Sequence, residues 1–363
     1  MEALKEAREK INIIDREMAK LFEERMECAE AIAQYKKERG LAIYDKTRED
    51  DALRRNSEYI LDPVIKEYYV NFLKNNMAVS REYQSRLMKG AKVAYSGTEG
   101  AFAHLAATKA FPSSEKIGYS DFVSAYRAVE NGECDIAVLP IENSYNGEVG
   151  QVSDLMFSGT LFVNAVIELA VSHDLLGLPG ASIEDIKEVV SHGQALGQCA
   201  EYIREHGLAP REYVNTALAA KFVSEQNDPS IAAIASREAA EIFGLKVLAK
   251  DIHSSRTNTT RFAIFSRAEH RHRSSEMGVH TIMLFTVRNE AGALAKAIDI
   301  IGKHGFNMRT LRSRPMKELL WQYYFYVEAE GNIHTYEGAT MMAELDKYCD
   351  KLKSVGTYIK EQG

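Results

Sequence analysis

Asn258-Thr259-Thr260-Arg261-Phe262-Ala263-Ile264-Phe265 sets three short hydrogen-bonding side chains and one guanidinium directly ahead of an apolar run. The run reads as a strand, with the polar residues as a pocket edge mounted on it. An Arg fork grips a carboxylate through two parallel hydrogen bonds, and a Thr hydroxyl is a neutral donor that can assist a departing oxygen. Taken alone, these residues also fit a strand entrance whose Arg points to water. The segments on either side decide between the two readings.

At 363 residues the chain exceeds what one core serves, so two or three domains are expected. A net charge of -7 argues against a nucleic-acid or anionic-membrane surface, because both partners require a basic face. Small anionic substrates remain compatible, since a pocket needs only a few local Arg and Lys. Cys28, Cys134, Cys199 and Cys349 lie far apart, without the close spacing of a zinc or redox motif, and read as thiols of a reducing compartment. The charged N-terminus lacks the apolar core of a signal peptide, and the apolar stretch Leu161 to Val171 is too short to span a bilayer. The expectation is a cytoplasmic protein with no membrane partner.

Leu4 to Arg39 contains neither Pro nor Gly, and Ile11, Ile14, Met18, Leu21, Phe22, Ala29, Ile32 and Ala33 recur at helical spacing. One helix of roughly 54 Å follows, longer than a small domain is wide. Gly40 stops it, Asp45 can cap a second helix, and Asp62-Pro63 opens a third running to about Met88. Three such unequal helices do not close a core alone, whereas a dimer sharing the long ones would. Arg25 and Lys36, eleven residues apart, return to within about 20° on one face at roughly 16 Å separation, so they could grip one small dianion. Arg8 lies roughly 26 Å from Arg25 along the axis and could reach that ligand only from a partner chain.

The ordered set Arg8, Arg25, Lys36, Asp45, Arg48, Glu49, Ser80 and Gln84 resembles the active-site set of the all-helical chorismate mutases, over residues 1–88. The resemblance implies that Arg residues, one from the other subunit, hold the two carboxylates of chorismate. It further implies that Lys36 and Gln84 hydrogen-bond the breaking ether oxygen, and that Glu49 orients the ring hydroxyl. A pericyclic rearrangement needs no nucleophile or base. Confinement and charge stabilisation carry it.

After Lys89-Gly90, strand-like Lys92 to Tyr95, a Gly-rich turn and a helix from Ala101 to Lys109 begin an alternating pattern. It continues with a helix at Phe122 to Asn131, strands at Asp135 to Pro140, Phe162 to Val171 and Glu188 to Val190, helices at Ala195 to His206 and Ala217 to Gln226, and a strand at Ile231 to Ile234. This predicts a mainly parallel sheet with ligand loops at strand C-termini, in two lobes like a periplasmic binding protein. No G-x-G-x-x-G is present, so no dinucleotide cofactor is expected. Residues 91–267 resemble prephenate dehydratases in Pro140-Ile141-Glu142-Asn143, Ser191-His192, Gln194-Ala195-Leu196, Gln198-Cys199, Thr216-Ala217 and Asn258 to Phe262, with Gly193 where that family has Pro. The resemblance implies Thr260 as the catalytic hydroxyl and Arg261 as a carboxylate ligand. Glu142, Asn143, Ser191, His192, Thr216, Asn258 and Phe262 are the implied pocket residues.

Beyond a polar linker from Ser266 to Gly278, whose two His do not suffice for a metal, the order is ferredoxin-like β-α-β-β-α-β. Strands are expected at His280 to Val287, Phe306 to Ser313, Trp321 to Glu328 and Gly356 to Ile359, with helices at Ala293 to His304 and Tyr336 to Lys353. Residues 279–360 resemble an ACT domain, with Gly292-Ala293-Leu294 matching its phenylalanine-binding turn and Ser313-Arg314-Pro315 its second motif. Arg312 stands where that family has Glu.

In sum the chain resembles a bifunctional chorismate mutase/prephenate dehydratase with a C-terminal ACT domain. The implied fold is an all-α helix-sharing dimer, then a bilobal α/β domain, then an α+β ferredoxin-like domain. Chorismate and prephenate are the implied substrates and phenylalanine the effector, in a homodimer or higher oligomer, with no cofactor and no metal. The alternative is a non-catalytic sensor made of a bilobal binding domain and an ACT module. A sensor would lack both Thr260 and the mutase set.

Overall fold

The computed structural model describes residues 2–254, 257–273, 275–316 and 322–360. The chain divides into two compact units, 1–91 and 92–363.

The first unit is helical: α1 (Glu2–Arg39), α2 (Lys46–Ser57) and α3 (Pro63–Lys89). Gly40, at φ +63°, ends α1 in the left-handed conformation that favours Gly. Asp45 caps α2 by accepting from the Arg48 backbone N–H at 3.1 Å, and Asp62 caps α3 through Val64 and Ile65 at 2.8 and 3.1 Å. Of α1, only Ala29 and Ala33 are buried. Leu4, Ile11, Ile14, Met18, Leu21 and Phe22 stay exposed, so most of its apolar stripe is uncovered by the helices of its own unit.

The second unit begins with β1 (Lys92–Ser96), α4 (Phe102–Ala110), β2 (Glu115–Tyr119), α5 (Phe122–Glu130), β3 (Ile136–Asn143), β4 (Gly147–Glu148), α6 (Gly150–Ser158) and β5 (Phe162–Ala170). The chain then crosses into a second lobe: β6 (Asp174–Gly177), β7 (Glu188–Ser191), α7 (Gly193–Gln198), α8 (Ala200–Glu205), β8 (Ala209–Glu212), α9 (Thr216–Gln226), β9 (Ile231–Ala235), α10 (Arg237–Phe243) and β10 (Lys246–Ala249). It returns through β11 (Thr259–Ser266), which inserts between β3 and β5. The sheet orders are β2-β1-β3-β11-β5, with β4 on β3, and β10-β6-β9-β7-β8.

The mainly parallel expectation is corrected to two mixed sheets. β1 pairs β2 and β3 in parallel, and β7 pairs β8 and β9 in parallel. β11 runs antiparallel to both its neighbours, and β6 to β9 and β10. The antiparallel strands flank the two places where the chain changes lobe, and a strand that starts a lobe from the opposite end must run against its neighbours. The helix expected from Ala195 to His206 is broken at Cys199 into α7 and α8.

The last part comprises β12 (Val279–Val287), α11 (Ala293–Lys303), β13 (Asn307–Pro315), β14 (Tyr323–Glu330), α12 (Tyr336–Leu345) and β15 (Cys349–Ile359). An antiparallel sheet in the order β13-β14-β12-β15 gives the expected ferredoxin-like path. The helix expected to reach Lys353 ends at Leu345, because β15 already starts at Cys349. Trp321, the expected start of a strand, lies outside the described residues.

Central β12 is buried on both faces. Met283 and Phe285 pack with Ile300, Ile301 and Leu345 under the helices. Ile282 and Leu284 pack with Tyr326 and Tyr358 against Ala137, Leu139 and Val163 of the first lobe. This sheet and the first lobe therefore share one core and do not form separate compact units. No described helix is long and apolar enough to cross a membrane.

Candidate functional sites

In the helical unit, α1, α2 and α3 enclose a cavity of about 280 Å³. Arg25, Lys36, Asp45, Arg48, Glu49, Ser80 and Gln84 all line it. Arg8, exposed on α1, does not. Arg25 donates to the Ser80 hydroxyl and, at 3.4 Å, to the Asn76 carbonyl, and burial pulls its pKa below the usual range. Lys36 Nζ donates to the Ile43 carbonyl at 2.5 Å. Asp45 serves as the α2 cap, which holds the loop that closes the cavity. Glu49 is ion-paired with Arg81, a residue the sequence reading did not single out because the two lie on different helices 32 positions apart. Gln84 is buried, and its Oε1 has no hydrogen-bond partner among the described residues. Four cations (Arg25, Lys36, Arg48, Arg81) face two carboxylates (Asp45, Glu49), a balance suited to a dianionic ligand.

In the second unit, one chain of hydrogen bonds gathers residues where both crossovers meet the lobes. Asn143, at the end of β3, pairs in register with Thr260 on β11. The backbone N–H groups of Tyr145 and Asn146 donate to Asn143 Oδ1 at 3.0 and 2.9 Å. Asn143 Nδ2 donates to Thr260 Oγ1 at 2.9 Å and to Asn258 Oδ1 at 2.8 Å. Asn258 Nδ2 donates to Gln198 Oε1 at 3.0 Å, and His173 Nε2 meets the same oxygen at 2.9 Å. Asn143 is half-buried, and Thr260, Asn258, Gln198 and His173 are buried. Burial drives the His173 pKa down to about 4, so the imidazole is neutral. Since Thr260 accepts from Asn143, its own hydroxyl hydrogen is directed elsewhere and can be donated to a ligand.

Among the described residues, Arg261 makes no hydrogen bond to this constellation. Successive strand residues face opposite sides, so it points into the interface with the C-terminal sheet. There it donates to Glu328 at 2.9 and 3.1 Å, to Glu142 at 3.1 Å and to the Tyr358 hydroxyl at 2.8 Å. Glu142 likewise lies on that side, paired with Arg261 and with Arg312. Phe262 is buried on the Thr260 side of β11. Ser191 is fully buried and donates to the Ile234 carbonyl at 2.5 Å, tying β7 to β9. His192 caps α7 by accepting from the Gln194 N–H at 3.3 Å. Thr216 opens α9, which Asn215 caps. No hydrogen bond among the described residues joins Ser191, His192 or Thr216 to the Thr260 chain. Gln198 was visible only as part of a motif. His173 had no sequence signal, because nothing local marks a residue on a lobe crossover.

In the C-terminal sheet, Gly292 adopts φ +85° as the N-cap of α11, a conformation open to Gly. Leu294 lines a cavity of about 340 Å³ with Glu290, Met316, Tyr323, Phe325 and Asp350 among its walls. Arg314 donates to Asp154 at 3.1 Å and to the Tyr324 hydroxyl at 3.0 Å, so it docks the sheet onto α6.

Residues 93–270 match the family model of prephenate dehydratase, and residues 7–85 that of chorismate mutase type II. A bifunctional chorismate mutase/prephenate dehydratase of Neisseria gonorrhoeae is 32% identical over 354 residues, 97% of this chain and 95% of the relative. Its counterpart in Aquifex aeolicus is 31% identical, covering 99% of each chain. Among solved structures, a prephenate dehydratase of Arthrobacter aurescens in complex with L-phenylalanine matches at TM-score 0.68 and 27% identity, covering 74% of this chain and 90% of that one. A chain described as a novel type of quorum quenching acylase matches at TM-score 0.69 and 31% identity, covering 74% and 98%.

Proposed function

The chain belongs to the family of bifunctional chorismate mutases/prephenate dehydratases, and from that premise we propose how its residues divide the work. The enzyme rearranges chorismate to prephenate, then decarboxylates and dehydrates prephenate to phenylpyruvate. Residues 1–88 carry the first reaction and 91–267 the second. In the helical cavity, Arg25, Arg48 and Arg8 from a second subunit hold the carboxylates, Lys36 and Gln84 meet the ether oxygen as charge builds on it, and Glu49, steadied by Arg81, orients the ring hydroxyl. Ser80 fixes Arg25.

The dehydratase centre is Thr260. The electron pair of the breaking carbon–carboxylate bond moves into the ring as carbon dioxide departs, and the ring hydroxyl leaves as the ring becomes aromatic. Thr260 donates its hydroxyl hydrogen bond to that leaving oxygen. The observation carrying this assignment is the Asn143 amide, pinned by two backbone donors, which turns Thr260 into an acceptor on one side and a free donor on the other. Residues 279–360 act as an ACT domain in which phenylalanine occupies the cavity beside Gly292, Ala293 and Leu294. Ser313, Arg314 and Pro315 link that domain to the dehydratase. The relative solved with bound L-phenylalanine supports this regulatory reading. The free thiols fit a cytoplasmic enzyme.

Purified full chain given chorismate should form prephenate and then phenylpyruvate, with the second step slowed by added phenylalanine. Thr260→Val should make prephenate accumulate, cutting phenylpyruvate formation roughly 100-fold or more, with mutase turnover unchanged. Near-normal phenylpyruvate formation by this variant would remove Thr260 from the mechanism.

A further inference from the structure

Resting on the reading of Thr260 as the leaving-group donor, we propose that His173 is a positioning residue for the dehydration step, acting through Gln198. The direction of each hydrogen bond follows from the one before it. Backbone N–H groups can only donate, so the two that reach Asn143 Oδ1 fix that amide and oblige its Nδ2 to donate to Asn258 Oδ1 and Thr260 Oγ1. With its oxygen committed, Asn258 presents Nδ2 to Gln198 Oε1. The atom that His173 places 2.9 Å from the same oxygen must then also be a donor, which selects the tautomer protonated at Nε2.

Independent features of His173 agree with that tautomer. The residue is 3% exposed, and its Nδ1 has no hydrogen-bond partner among the described residues, as suits a bare nitrogen lone pair. The ring packs edge-on against Phe102 at 5.7 Å and against His253 at 6.0 Å, while its backbone N–H donates to His253 Nδ1 at 3.3 Å. The ring is thus held on both the side-chain and the backbone side.

Two donors on Gln198 Oε1 determine which way the Gln198 amide faces. Its Nε2 group is turned from the network and has no partner among the described residues, so it is a donor available to an oxygen of prephenate. Without His173, one of the two bonds that select this orientation is gone. The amide can then present its carbonyl instead, which repels a substrate oxygen. His173 lies on the crossover leaving the first lobe, Asn258 at the end of the returning one, and Gln198 on α7 of the second lobe. The chain therefore also sets the second-lobe donor in register with Thr260 of the first.

The test compares two amide variants of the full-length enzyme. In His173→Gln the side-chain nitrogen reaches the place of Nε2, whereas in His173→Asn it reaches only that of Nδ1. His173→Gln should keep dehydratase kcat within about threefold, while His173→Asn should lower it roughly 10- to 100-fold, with a smaller change in KM and mutase turnover unaltered in both. Adding Gln198→Leu to His173→Asn should produce little loss beyond that of Gln198→Leu alone. Equal activity of the Gln and Asn variants, or losses that multiply fully in the double variant, would overturn the positioning role. Thr260→Val run alongside separates the two readings: if it is inactive while His173→Asn matches the parent, the Thr260 assignment stands and the His173 inference falls. If Thr260→Val is itself active, the underlying reading of the site fails first.

Discussion

On β11, Thr260 and Arg261 are neighbours in the chain and work on opposite faces of one sheet. Thr260 joins the polar chain between the lobes, and Arg261 locks the first lobe to the C-terminal sheet through Glu328, whose side chain is only 4% exposed. Burial alone would raise the Glu328 pKa, but the Arg261 guanidinium outweighs it and holds the carboxyl below its usual range. A depressed carboxyl pKa contributes stability above its unfolded value of ~4.3, lost as pH falls through the lower folded value. Arg261→Met should cost about 3 kcal/mol or more in denaturant unfolding, because it strands a buried carboxylate. Arg261→Met with Glu328→Gln should recover most of that loss. An Arg261→Met protein as stable as the parent, with only its prephenate KM raised, would return Arg261 to the substrate pocket. The motif was legible in the sequence. The face of each residue was not, because strand alternation becomes informative only once it is known that both faces of β11 are covered.

At the scale of elements, what could be read depended on local signals. The caps at Asp45 and Asp62 and the Gly40 stop act within a few residues, and α1 ends, and α2 and α3 begin, where those signals put them. Strands β6, β8 and β10 have four residues each and escaped notice, since they lack the paired β-branched Val189-Val190 that marks the equally short β7. The docking of the C-terminal sheet also left no pattern, although single residues control it. Gly356 on β15 has φ +144°, and a Cβ there would lie 2.2 Å from the Val163 carbonyl oxygen of β5. Both partners are backbone and neither can move aside. Gly356→Ala should therefore lower stability by at least ~2 kcal/mol, seen as an earlier thermal transition. Gly302→Ala is the control, because that position in α11 is open and helical Ala outperforms Gly by roughly 1 kcal/mol. If both substitutions shift the transition in the same direction, the close approach of β15 and β5 does not constrain the fold.

At the scale of the whole molecule, the first unit leaves an apolar stripe of α1 exposed. Of the residues lining its cavity, Arg25 and Lys36 were recoverable from spacing, because helical geometry converts sequence separation directly into distance, whereas Asp45, Arg48, Glu49, Ser80 and Gln84 were implied by the family resemblance. Arg8 followed the same arithmetic and came out too far away. It is exposed on a 38-residue helix whose first half keeps Leu4, Ile11, Ile14, Met18 and Leu21 in the open. An apolar stripe of that length is stable in water only when covered, and a second copy of α1 running antiparallel would cover it while carrying its own Arg8 to the Arg25 end of the opposite cavity. The consequence is complementation. Arg8→Ala and Lys36→Ala homodimers should each lose most mutase activity, yet a mixed dimer contains one cavity with Lys36 from one subunit and Arg8 from the other, both intact. After subunit exchange at equal concentrations, half of the dimers are mixed and each has one complete site of two, so roughly a quarter of parental mutase activity should return. Dehydratase activity should be unchanged throughout, because neither substitution touches the second unit's polar chain. Failure of activity to return, with exchange verified by differently tagged subunits, would place Arg8 outside the mutase site and leave the exposed stripe of α1 to some other interface.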